Sequence, residues 1–240
     1  MWINELSIDK RYGREFDYIL KMLSGIKNLS YTKEITKDRY IFSMATADEY
    51  EKQVKNQIFD IVKNVILVFI KRDVIFDGVS LDANTFTKVA IVASITHFDN
   101  VYEEKYLAYQ MQDISDYNID AIYNFRLKKL ISNWEELKEM TSSLLAYADN
   151  EDLTYIASFM NATSYERIGE VSVEELDEKL SLYTKKPRKN IPILPIYSNF
   201  YFNLLDALIR VNPKEVLLDN VVLPEDMLYI LKKLVNVKFN

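Results

Sequence analysis

The chain has one histidine and no cysteine, so its candidate chemistry is quickly bounded. The imidazole of His97, in Ile95-Thr96-His97-Phe98-Asp99, could take a proton from a hydroxyl or a water, with Asp99 orienting the ring. Two residues of separation on a helix point His97 and Asp99 to different faces, so the residue reads as a half-buried histidine bonded to backbone rather than as a base. Any Ser-His-Asp arrangement would have to use this same ring. The lack of cysteine removes thiol nucleophiles, disulfide frameworks, Cys-ligated zinc and iron–sulfur clusters.

Among the 36 acidic residues, clusters stand at Glu103-Glu104, at Asp113 with Asp116, at Asp149 with Glu151 and Asp152, and at Glu174-Glu175 with Asp177-Glu178. A carboxylate-based, metal-dependent hydrolase would need such groups to converge in a cleft. Most of them sit where helices start and stabilise the helix dipole there. No catalytic, cofactor-binding or metal-ligating residue is therefore assigned, and the chain reads as a non-enzyme without a cofactor.

Partner-facing chemistry is better marked. Lys185-Lys186-Pro187-Arg188-Lys189 puts four basic residues in five positions, in a loop between strands with Tyr183 beside it. Lys185, Lys186, Arg188 and Lys189 are candidate contacts for phosphates of nucleic acid or for another partner. The competing reading is a solvated loop kept polar against edge pairing. The net charge of −6 argues against wholesale nucleic-acid wrapping. The 17 Tyr and 12 Phe recur mostly at helical spacing, which marks core more than a base-stacking platform.

These side chains need elements to hold them. Phe16, Ile19, Leu20 and Leu23 predict a helix ended near Gly25, and Leu29 to Met44 alternates as a β-hairpin turning at Thr36-Lys37-Asp38-Arg39. Thr46-Ala47-Asp48-Glu49 has capping-box spacing and predicts the start of a long helix running through Val68. A buried helix follows over Phe86 to Phe98, then a further one with Tyr102, Tyr106 and Tyr109. From Asn118 the residues Tyr123, Leu127, Leu130, Trp134, Leu137, Thr141, Leu144 and Ala148 are spaced 4, 3, 4, 3, 4, 3, 4, a heptad seam. Tyr123, Leu127, Leu130, Trp134 and Leu137 are thus a candidate helix interface. Packing within the chain is favoured over self-association, because the seam is short and ends in Thr and Ala.

Beyond residue 165 short β-branched and aromatic runs appear. Tyr165 to Val173 and Lys179 to Thr184 read as strands, with Ser172-Val173-Glu174-Glu175 an alternative helix start. Phe200 to Val211 reads as a helix closed by Asn212-Pro213, followed by a strand over Glu215 to Leu218, a helix after Pro224, and an edge strand over Val235 to Phe239. The chain then divides into an N-terminal lobe, 1–115, and a C-terminal lobe, 116–240, or the two halves share one continuous core. The fold class expected is α+β, predominantly α-helical, with a small N-terminal β-hairpin and a small C-terminal mixed α/β region. The apolar run Ile58 to Ile70 is too short and too polar to span a membrane, and the start of the chain shows no secretory leader, so a cytoplasmic location is expected.

Three segments in order also resemble a known family. Tyr123-Asn124-Phe125-Arg126-Leu127-Lys128-Lys129-Leu130 with Trp134, then Asp152 to Met160 and Gly169 to Leu182, then Asn203 to Leu218 with its Asn212-Pro213-Lys214, are similar to the YtxC-like proteins, putative sporulation proteins of endospore-forming Firmicutes. The resemblance covers roughly residues 117–234 and departs from the family pattern at Asp219, where a histidine is usual. It implies a cytoplasmic role connected with spore formation and supplies no catalytic residue or cofactor. Together these readings predict a non-enzymatic factor that works through an unknown protein partner or self-association. A nucleic-acid module centred on the basic loop is the alternative, and a carboxylate-based hydrolase the third reading.

Overall fold

A computed structural model describes residues 1–77, 85–163, 167–176 and 179–240. In chain order the first elements are β1 (Trp2–Asp9), α1 (Gly13–Ser24), β2 (Ser30–Ile35), β3 (Arg39–Thr46), α2 (Glu51–Asn64), α3 (Lys71–Ile75), α4 (Phe86–His97) and α5 (Asn100–Gln110). Then come β4 (Tyr117–Asn118), α6 (Ile119–Ala121), α7 (Lys128–Tyr147), α8 (Asn150–Thr163), β5 (Ile168–Leu176), β6 (Lys179–Lys185), β7 (Arg188–Ile191), α9 (Phe200–Val211), β8 (Pro213–Asp219), α10 (Glu225–Leu234) and β9 (Asn236–Phe239). The expectation of a predominantly helical chain with little sheet is corrected. The described residues are 56% helix and 24% strand, in mixed sheets of four and five strands.

The chain forms two compact units, each assembled from separated segments: 1–77 with 102–139, and 78–101 with 140–240. In the first, the hairpin β2–β3 turns at Thr36–Arg39, where the Thr36 hydroxyl accepts the Arg39 N–H. It is only half of a sheet ordered β2-β3-β1-β4, with β1 antiparallel to β3 and parallel to β4. Leu6, Ile8, Phe42 and Met44 carry its buried face, and Phe16 of α1 stacks on Tyr40 at 4.0 Å. The side chain of Thr46 does not cap a helix; it donates to the Asn28 carbonyl at 2.7 Å. Nor is the following helix uniform, since Val65–Ile70 is π-helical and all six of its residues are buried. A π-helical turn takes in one residue more than an α-turn, so successive side chains rotate less about the axis, and a run apolar on every side must be covered by the core all round. Asn118 starts a helix as expected, its Oδ1 accepting the Ala121 N–H, but the heptad helix is interrupted by π-helical Ile122–Arg126 and begins again at Lys128.

The second unit centres on α4, in which every residue from Val89 to His97 is buried. A helix apolar all round must be covered on every side, and α8, α9 and α10 pack on it. The sheet is ordered β7-β6-β5-β8-β9, with β7, β6 and β5 antiparallel and β5, β8 and β9 parallel. Val171, Val173, Leu182, Val216 and Leu218 form its buried face. Ser172 to Glu175 lies within β5, so the alternative helix start there is corrected. Tyr165 falls outside the described residues. Among the described residues no helix is long and apolar enough to cross a membrane.

Candidate functional site

The basic segment is the tip of the β6–β7 hairpin, where Lys185 faces Arg188 across the strands. Lys185 pairs with Glu170 on β5. Arg188 makes a forked pair with Glu174, at 2.9 and 2.6 Å, and its guanidinium lies 4.3 Å from the Tyr183 ring centre. The Arg188 fork, and after it the Ser172 hydroxyl, hold the Glu174 carboxyl below the usual carboxylate range. The same bond raises Arg188. On the outer face of the sheet Lys238 pairs with Glu215 in the same way, at 2.7 Å. Lys186 and Lys189 are exposed and have no ion pair among the described residues. Of the four expected contacts, two are therefore neutralised by neighbouring carboxylates and two are not.

The heptad positions divide by burial. Leu127, Leu130 and Trp134 are buried in the first unit, while Tyr123 and Leu137 are half-buried. Tyr123 stacks on Trp134 with ring centres 6.3 Å apart, and burial pushes its hydroxyl pKa up. The Trp134 indole N–H donates to Glu103 Oε1 at 2.7 Å, and Lys71 Nζ donates to Glu103 Oε2 at 2.7 Å. Both Lys71 and Glu103 are almost wholly out of solvent. A carboxylate with each oxygen held by a donor is a structural pair, and it leaves no lone oxygen aimed at a ligand.

His97 has a partner that sequence spacing did not indicate. Its Nε2 lies 3.3 Å from Oδ1 of Asp206 on α9, a carboxylate only 1% exposed, and its Nδ1 lies 3.1 Å from Nδ2 of Asn100. Both ring nitrogens are thus engaged by side chains of the same cluster. Around it Asn161 of α8 donates to the Ser94 hydroxyl at 2.9 Å, and Asn212 donates to the Asn161 carbonyl at 3.0 Å. Asn212 ends α9 in the left-handed region, at φ 43°. Asparagine tolerates that conformation better than most residues. The cleft beside this cluster, lined by Ser94, His97, Asn100, Asn161, Arg210 and Asn212, measures about 50 Å³. Space of that size suits roughly three to five waters, well below an ordinary substrate pocket. The cluster clamps α4, α8 and α9 together. Its one sequence signal was an acid, Asp206, set within the otherwise apolar run Leu204 to Ile209.

Among the described residues the other carboxylate groups do not gather into a metal-holding set. Asp149 Oδ1 accepts the N–H groups of Glu151 and Asp152 at the start of α8, and Glu104 lies 3.5 Å from Lys63. Asp177 and Glu178 fall outside the described residues. Among the described residues no group of three or more His, Asp or Glu side chains could hold a metal ion.

Large apolar side chains are exposed elsewhere in the second unit: Met140 and Tyr147 on α7, and Tyr155 and Phe159 on α8. Tyr147 is 91% exposed. Tyr155 and Phe159, four residues apart, share one face of their helix. No family model, no curated protein and no solved structure matches the chain.

Proposed function

We propose that this chain works as a non-enzymatic factor through contacts with other proteins. The observation that carries the reading is the exposure of Met140, Tyr147, Tyr155 and Phe159 on two consecutive helices. Tyr155 and Phe159, four residues apart on α8, stand together on one exposed face, and exposed aromatic residues of this kind are the usual anchors of protein interfaces. The polar clusters support the same reading from the other side. The groups able to do chemistry at His97 and at Glu103 are already bonded within their own units. The resemblance of residues 117–234 to the YtxC-like proteins supports a cytoplasmic, sporulation-linked setting.

The test is affinity purification of the tagged full chain from its native host as growth leaves the exponential phase, with and without nuclease. A stoichiometric, nuclease-resistant protein partner is expected, and Tyr147→Glu combined with Tyr155→Glu and Phe159→Glu should release it. Recovery of nucleic acid that disappears on nuclease treatment, with no protein partner, would overturn the reading.

A further inference from the structure

The hairpin that carries the basic segment also ends a sheet, and the two facts together name a partner. β7 pairs with β6 on one side and, among the described residues, is the last strand on the other. The Lys189 N–H turns toward β6, where it reaches the Thr184 hydroxyl at 3.1 Å. Backbone groups alternate direction along a strand, so Arg188 and Asn190 turn their N–H and C=O groups away from the sheet. Arg188, Lys189 and Asn190 are all exposed.

We propose that this outer edge of β7 receives an acidic, extended segment of a partner protein by strand addition. The outward backbone groups of Arg188 and Asn190 bond the incoming strand, and Lys186 and Lys189 meet its carboxylates. Charge selects the partner. A lysine on an open edge repels basic strands and penalises neutral ones, which makes the same residue a guard against aggregation and a filter for acidic chains. Among the described residues the other edge strands lack this surplus, β4 having no lysine at all. β2 sets Lys33 beside Glu34, and Lys238 of β9 is held by Glu215. A nucleic acid fits the edge less well, because Glu170 and Glu174 occupy Lys185 and Arg188 and would face its phosphates. The proposal is independent of the exposed aromatic residues of α7 and α8.

The experiment measures fluorescence anisotropy of the full chain with a labelled octapeptide alternating Glu and Val. Comparison probes are a Lys-Val octapeptide, the Glu-Val octapeptide N-methylated at every second residue, and a 20-nucleotide oligo-dT. The wild type should bind the Glu-Val peptide and neither the Lys-Val nor the N-methylated one. K186E combined with K189E should weaken binding about tenfold or more. Asn190→Pro removes one outward N–H without changing charge, and at an edge position it is compatible with the strand; about a tenfold loss is expected. Three results would overturn the proposal: no binding of the Glu-Val peptide, equal binding of its N-methylated form, or tighter binding of oligo-dT. The N-methylated peptide keeps the test valid even if the proline variant misfolds. Failure of the peptide tests leaves the wider protein-contact reading standing, because that reading rests on the exposed residues of α7 and α8 and not on β7.

Discussion

Lys71 illustrates how much a single buried side chain can hold. Its ammonium and the Glu103 carboxylate are both removed from solvent, and the pair is completed by the Trp134 indole N–H. Removing one member of such a pair leaves a buried charge without its counterion, at a cost of about 3–5 kcal/mol. Lys71→Ala should therefore lower stability by about that much in urea titrations, whereas Lys71→Met with Glu103→Leu should recover most of it. The exposed pair at the hairpin tip behaves differently. Arg188 and Ser172 hold Glu174 below its ordinary value of 4.5. A lowered carboxylate pKa means that the pair contributes above that ordinary value and is lost as pH falls through the lowered one. Arg188→Gln should bring the Glu174 titration, followed by carboxyl-carbon NMR, up toward 4.5. A titration that did not move would show that the fork is not what holds the carboxylate.

At the scale of elements, Asn212 both ends α9 and ties it to α8. Asn212→Gly keeps the left-handed backbone and loses only the bond to Asn161, about 1 kcal/mol. Asn212→Ala should cost roughly another 1 kcal/mol, because a Cβ is strained at that φ. Equal losses for the two variants would mean that the backbone conformation contributes nothing. This closure was legible, since Asn followed by Pro stops a helix for local reasons. The hairpin β2–β3 was legible for the same reason: its turn chemistry and alternation lie within one short stretch. The sheets around it were not. β1 gains its place by pairing with β3 and with β4, and Leu6 meets Tyr117 across more than a hundred residues. β5 likewise needs β8, from which the hairpin partners and a helix separate it. Non-local pairing leaves no periodic trace in either strand alone, so sequence periodicity overstates the helix and understates the sheet. The candidate site divides along the same line. The basic segment and the heptad positions could be read from spacing, but Glu170, Glu174, Asp206 and Glu103 as their partners, or as partners of His97 and Lys71, depend on the fold.

At the scale of the molecule, the two units carry separate natural reporters. Trp2 and Trp134, the two tryptophans of the chain, lie in the unit made of 1–77 and 102–139, whereas the single histidine, His97, lies in the other. Each unit has its own sheet, and each has its own buried polar cluster, Lys71–Glu103–Trp134 in one and His97–Asp206 in the other. A substitution that unpairs Glu103 should thus act first on its own unit. In Lys71→Ala, the tryptophan fluorescence transition should move to lower urea while the His97 ring resonances keep their native shifts to higher urea. The separation should shrink again in the Lys71→Met and Glu103→Leu double variant, which removes the unpaired charge. Coincident transitions in all three proteins would show a single cooperative molecule, in which the helices crossing the boundary, α5 and α7, transmit unfolding as fast as it begins.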